Sequence, residues 1–155
     1  GLRVELVDVT TFRYTRILAC AQHIFSNASL PIYFIKRPGQ VYMQTWHGTP
    51  VKTLGKQMRM GIESMYNVQH NFLQADYLTQ PNAFTRDVIL RDYNLEPLYT
   101  GKVVMAGYPR AGSWGWRTRR SMPICPPGGA RATTVWMCWN MRHRSKKLCS
   151  RWTAA

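Results

Sequence analysis

A chain of 155 residues, 45% of them hydrophobic, is about one domain long and can bury a core of its own. No apolar run approaches the roughly 20 residues that cross a bilayer, which excludes a helical membrane span from this stretch of sequence. The net charge of +14 points toward polyanionic partners, but residues 1–110 contain 12 Lys and Arg and all 7 Asp and Glu, whereas residues 111–155 contain 9 basic residues and no acid.

The first residues, GLRVELVDVT, have neither a Met nor the charged-then-apolar order of a signal peptide, so the chain reads as a fragment that starts inside a fold. Residues 2–9 alternate loosely and carry three valines, which predicts a strand. In residues 11–27, Ile17, Leu18, Ala21, Ile24 and Phe25 recur at helical spacing without a proline, and NASLP ends the pattern. Two apolar runs follow, LPIYFI and VYMQTW, separated by KRPGQ; the Pro-Gly turn predicts two strands, with a hairpin as one arrangement. In residues 58–78, Val68, Phe72, Leu73 and Ala75 fit one helical face. PNAFTRDVILRDY predicts a helix N-capped by Asn82, with Phe84, Val88 and Ile89 as its apolar stripe. A last strand, KVVMAG, runs into Tyr108, Pro109 and Arg110. Strands alternating with helices imply a layered α/β domain with a largely parallel sheet. Ligands bind such sheets beyond the carboxyl ends of their strands, where HGTP and GYPR are both expected.

In QTWHGTPVKTLG, the glycine after His47 permits close approach to the backbone and Pro50 stiffens the turn, so the imidazole is expected at a fixed exit point from the sheet. An imidazole is largely neutral near pH 7 and suits a general base, a role that contributes about 10²–10⁴ in rate. Arg37, Lys52 and Lys56 offer charge for phosphate groups, with the bidentate fork peculiar to arginine. The plainer reading is a histidine that only hydrogen-bonds a loop beside solvated lysines. GTPVKTLGKQ is not a phosphate-binding P-loop: six residues instead of four separate its glycines, and Gln57 stands where Ser or Thr would meet magnesium.

Three ordered blocks, LPIYFIKRPGQVYMQTWHGTPVKTLGK, NFLQADYLTQPNAFTRDVIL and YTGKVVMAGYPR, resemble the CDP-glycerol glycerophosphotransferases of teichoic-acid synthesis. The resemblance covers most of residues 1–110. It implies a Rossmann-like domain corresponding to the N-terminal, acceptor-side half of a GT-B-type transferase, which moves glycerol phosphate from CDP-glycerol to a lipid-linked poly(glycerol phosphate) acceptor and releases CMP. It further implies that His47 is the base, that Gly48, Thr49, Lys52, Arg37 and Arg110 bind substrate, that no cofactor or metal is required beyond the donor, and that the protein sits peripherally on the cytoplasmic face of the membrane. His23 and His70 fall in helical patterns and read as structural. Related ribitol-phosphate or sugar transferases share similar motifs, and a non-catalytic polyanion-binding module is the alternative outside enzymes. In either transferase case, a reaction built across two domains leaves this stretch inactive alone.

The resemblance stops after Arg110, where the family continues toward a second domain with the donor site. Residues 111–155 instead hold five of the six tryptophans and three of the four cysteines, with no sustained periodicity, so an irregular, poorly ordered tail is expected. A change of composition where the family pattern breaks is what an out-of-frame continuation produces. Zinc binding by Cys125, Cys138, His143 and Cys149 lacks the paired CxxC or HxxxH spacing. No motif accompanies the charge to indicate specific nucleic-acid binding. An anionic membrane surface is the expected partner of the basic residues.

Overall fold

The computed structural model describes residues 3–59, 63, 65–107, 133–138 and 148–153. Its elements are strands β1 (Arg3–Asp8), β2 (His23–Ser26), β3 (Val41–Gln44), β4 (Tyr77–Gln80), β5 (Lys102–Met105), β6 (Thr133–Cys138) and β7 (Leu148–Thr153), helices α1 (Phe12–Cys20), α2 (Tyr66–Gln74) and α3 (Ala83–Asp92), and a 3-10 turn at Gly55–Gln57. The strands form one sheet in the order β1-β7-β6-β2-β3-β4-β5. From β6 to β5 all neighbours are parallel, while β7 runs antiparallel to both β1 and β6. The layered α/β domain with a largely parallel sheet therefore stands.

α1 starts as its sequence dictates. Thr11 is the N-cap, its Oγ1 accepting the Tyr14 N–H at 3.3 Å, and Tyr14, Ile17 and Leu18 are buried. The helix ends at Cys20 rather than running on to residue 27, and His23, Ile24, Phe25 and Ser26 become β2. Ile24 and Phe25 satisfy a helical and a strand period alike, and what decides between them lies 20 residues away. The buried Gln40 side chain donates Nε2–H to the carbonyls of Leu18 (3.0 Å) and Ala21 (2.7 Å), satisfying acceptors that a finished helix leaves unpaired.

The expected strand LPIYFI does not form. Residues 31–35 cross from the end of β2 to the start of β3, leaving Ile32, Tyr33 and Ile35 exposed and only Phe34 buried. The hairpin expected between LPIYFI and VYMQTW therefore does not form; β3 pairs in parallel with β2, His23 opposite Val41, which requires a crossover. The Pro-Gly turn is present within that crossover: Gln40 N–H closes onto Arg37 O at 3.1 Å, with Gly39 at φ 82°. β4 was hidden at the end of a helical pattern. α3 follows with Asn82 capping Thr85 N–H at 2.8 Å; Val88 and Ile89 are buried, but Phe84 is exposed.

Register places Ile24, Ser26, Tyr42, Gln44 and Leu78 on one sheet face, where they are buried against α1, α2 and residues 28–34. Phe25, Met43 and Tyr77 on the other face are half-buried. β6 and β7 come from residues 111–155, where the sequence shows no periodicity; the rest of that segment lies outside the described residues.

Candidate active site

Of the five parallel strands, four are followed by described residues at the carboxyl edge of the sheet. Beyond β2 comes Asn27, beyond β3 comes His47, beyond β4 comes the N-terminus of α3, and beyond β5 comes Gly107. HGTP thus lies where the topology of an open parallel sheet places ligands.

The chain leaves β3 abruptly. Thr45 N–H still pairs with Ser26 O at 2.8 Å, but Trp46 has φ 53°. A bulky residue with left-handed backbone is strained and persists only where its surroundings fix it. Here the Trp46 N–H donates to Gln44 Oε1 at 3.1 Å, and the indole packs against Phe72 and Tyr93 at centroid distances of 5.2 and 6.4 Å. The reversal delivers the next side chain to the loop from Ser26 to Leu30. His47 packs at a tilt of 31° against the Trp46 ring, centroids 4.2 Å apart, and its Nδ1 lies 2.7 Å from the Asn27 carbonyl oxygen.

A carbonyl oxygen only accepts, so Nδ1 carries the proton of the neutral ring and Nε2 carries the basic lone pair. The ring is half-buried, not sealed in the core. The contact with Asn27 sets the tautomer and orientation of the ring from behind.

The acceptor loop is itself fixed by buried amides. Gln44 Nε2 donates to Ala28 O (3.1 Å) and to Tyr42 OH (2.9 Å), and Tyr42 OH donates to Asn71 Oδ1 at 3.4 Å. Asn71 Oδ1 also accepts the Leu30 N–H at 2.8 Å. Burial raises the Tyr42 phenol well above its ordinary pKa, more than the Gln44 hydrogen bond lowers it, so the hydroxyl keeps the proton that bonds Asn71.

The other expected site residues divide by location. Gly48 is half-buried, and a Cβ added there would meet no atom of the described residues within 4 Å. Thr49 and Lys52 are exposed on the same loop, and Lys52 makes no ion pair among the described residues. Arg37 precedes β3, so the length of that strand, about 13 Å at 3.3 Å per residue, separates it from the His47 edge. Arg110 lies outside the described residues. His23 lies in β2 rather than in a helix, while His70 is in α2, parallel to Tyr66 at 6.3 Å.

At the Arg37 end of the sheet there is a cavity of about 290 Å³ lined by Lys36, Gln74, Asp76, Thr100 and Lys102. Its Asp76 is a structural hub: Oδ1 accepts from Lys36 Nζ and Oδ2 from Tyr42 N–H. Among the described residues no three His, Cys, Asp or Glu side chains gather as a metal site. Of the zinc candidates, Cys125 and His143 lie outside the described residues; Cys138 and Cys149 occupy β6 and β7, with Cys149 opposite Met137. Sequence reasoning missed Gln44, Trp46 and Asn27. A glutamine two residues after Tyr42 on the same strand face is a signal for the first; the others act through backbone geometry.

Comparison with known proteins decides the family, since residues 2–113 match the model of CDP-glycerol:poly(glycerophosphate) glycerophosphotransferase. The chain belongs to that family. It is 32% identical over 113 residues to the teichoic acid poly(glycerol phosphate) polymerase of Staphylococcus epidermidis, covering 68% of this chain and 15% of the relative. It is 31% identical over 91 residues to the teichoic acid glycerol-phosphate transferase of Staphylococcus aureus, covering 54% and 23%. The fold matches the wall teichoic acid polymerase TagF at a TM-score of 0.61 and 29% identity, over 72% of this chain and 28% of TagF. A TagF variant structure soaked with CDPG matches at the same score. The chain thus spans about a quarter or less of these relatives, and the matched part contains the histidine loop.

Proposed function

We propose that this glycerophosphotransferase-family chain supplies the acceptor-side part of a GT-B-type transferase active site, with His47 as general base. His47 Nε2 takes the proton of an acceptor hydroxyl while its oxygen bonds the β-phosphorus of CDP-glycerol. The bond from that phosphorus to the bridging oxygen breaks, and CMP leaves with the electron pair. Gly48 and Thr49 border the reacting groups, and Lys52 offsets phosphate charge as it develops. The acceptor is poly(glycerol phosphate) on a lipid carrier at the cytoplasmic face of the membrane, and the donor is the only cofactor-like molecule required. The basic residues of 111–155 add attraction to anionic lipid, about 1 kcal/mol for each Lys or Arg near the surface.

The observation supporting this reading most strongly is the bond from His47 Nδ1 to the Asn27 carbonyl, which leaves Nε2 as the basic atom. A chimera tests it. Residues 2–113 replace the matching segment of the Staphylococcus epidermidis polymerase, and CMP release from CDP-glycerol plus primer is measured. His47→Ala should lower the rate by about 10²–10⁴; equal rates would remove His47 from the chemistry. Offering CDP-ribitol in the same assay separates the glycerol from the ribitol reading.

A further inference from the structure

Gln44 is fully buried at the end of β3, and both ends of its amide are used. Oε1 accepts the N–H of Trp46, the residue before the histidine. Nε2 donates to the carbonyl of Ala28, the residue after the histidine's hydrogen-bond acceptor. One side chain therefore spans the two backbone segments whose separation fixes the 2.7 Å contact between His47 Nδ1 and Asn27 O.

We propose that Gln44 is a positioning residue that selects the Nδ1–H tautomer of His47 by joining the Trp46 and Ala28 backbones. The inference rests on the reading of His47 as a base, because tautomer selection matters only if Nε2 must accept a proton. The contact has little tolerance: a displacement of about 1 Å carries it beyond hydrogen-bond range. Without it, the Nδ1–H form loses the carbonyl acceptor that favours it, and the ring proton shifts toward Nε2. A ring protonated on Nε2 cannot take a proton at that atom, so the active fraction falls with the tautomer ratio.

The surrounding bonds make the amide a strut and not just core filler. Ser26 Oγ accepts the Ala28 N–H at 3.2 Å and donates to Ala28 O at 2.5 Å, while Asn71 holds Leu30 from the other side. The acceptor loop is thus tied at Ser26, Ala28 and Leu30; Thr45 joins Ser26 O to the strand exit through its N–H and Oγ1, and Gln44 joins Ala28 O to the Trp46 N–H. A glutamine that merely filled space would affect stability but leave the His47 tautomer unchanged.

Nitrogen NMR of the chain with isotope-labelled histidine reads the tautomer directly, His47 being assigned by the signal lost in His47→Ala. The unsubstituted chain should show Nδ1–H, with scalar coupling across the bond to the Asn27 carbonyl. Gln44→Met and Gln44→Leu each lose both the acceptor for Trp46 and the donor to Ala28. Each should at least double the Nε2–H fraction, with the amide spectrum otherwise retained. An Nε2–H ring in the unsubstituted chain, or an unchanged ratio in either folded variant, overturns the proposal. Should neither variant fold, hydrogen exchange of the Trp46 amide in the unsubstituted chain decides it. Protection of about 100-fold is expected from a buried bond, and exchange at the rate of an exposed amide refutes the strut. None of these readouts involves substrate, so a chimera indifferent to His47→Ala would sink the transferase reading while leaving the tautomer assignment standing.

Discussion

Trp46 allows backbone strain and ring packing to be separated at the site. At φ 53° an L-residue carries about 1–2 kcal/mol of left-handed strain that glycine does not. Trp46→Gly and Trp46→Ala both delete the indole and its contacts with Phe72, Tyr93 and His47. A fully buried aromatic costs about 3–5 kcal/mol to truncate, and half-buried Trp46 should cost about half of that. The two variants differ only in backbone. Glycine escapes the strain but has a freer unfolded chain, which takes back about 0.4–1 kcal/mol. The net expectation is that Trp46→Gly is more stable than Trp46→Ala by about 0.5–1 kcal/mol, reversing the usual order. In urea, with a slope of about 2 kcal/mol per molar, this is a midpoint difference of about 0.3–0.5 M, with both below the unsubstituted chain. An alanine variant as stable as the glycine one would mean that the left-handed turn at Trp46 is not occupied in solution.

Three further outcomes follow from packing and charge. Gly55→Ala puts a Cβ 2.0 Å from Asp92 O at φ 53°, so urea unfolding should show a loss of about 2–4 kcal/mol; a loss below about 0.5 kcal/mol would show that the 3-10 turn does not seat on the end of α3. Gln40→Leu strands the carbonyls of Leu18 and Ala21 and should cost about 2–4 kcal/mol; an unchanged midpoint would mean that water serves them equally well. Tyr93 is pushed up to about 12, chiefly by burial and then by the Asp92 charge, and Tyr99 to about 12 by burial and then Asp76. Because the folded values exceed the ordinary 10.0, the stability they contribute is complete below pH 10 and is lost as pH rises through about 12. Tyrosinate absorbance should therefore rise together with loss of circular dichroism, and ordinary titration of every tyrosine in a folded chain would contradict the burial.

Elements with local causes were legible in the sequence. α3 has its cap at Asn82 and its buried pair at Val88 and Ile89, and α1 begins at a threonine cap, so each was readable at its start. Its end was not, because the amide that terminates α1 belongs to Gln40, beyond β2 and the crossover. β4 escaped notice because Leu73 and Ala75 keep the phase of α2 up to its first residues, and four residues are too few to establish a period of two. LPIYFI misled for the opposite reason, being apolar in composition yet leaving Ile32, Tyr33 and Ile35 exposed while it crosses between parallel strands.

The same distinction explains how much of the site could be read. His47 was legible because histidine between an apolar run and a Gly-Thr-Pro turn is a chemical signal carried by side chains. What makes its ring directional is the carbonyl of Asn27, the left-handed backbone of Trp46 and a glutamine facing the core. A carbonyl is present at every residue, so no residue type advertises the one that matters; only the parallel pairing of β2 with β3 brings residue 27 beside residue 47. That pairing also explains the edge. Parallel strands bring their carboxyl ends together, and the polypeptide must turn away from each end through loops whose backbone groups need partners. In this chain the buried Gln44 supplies two of those bonds, and the exit of β3 that they stabilise is the one that presents the imidazole.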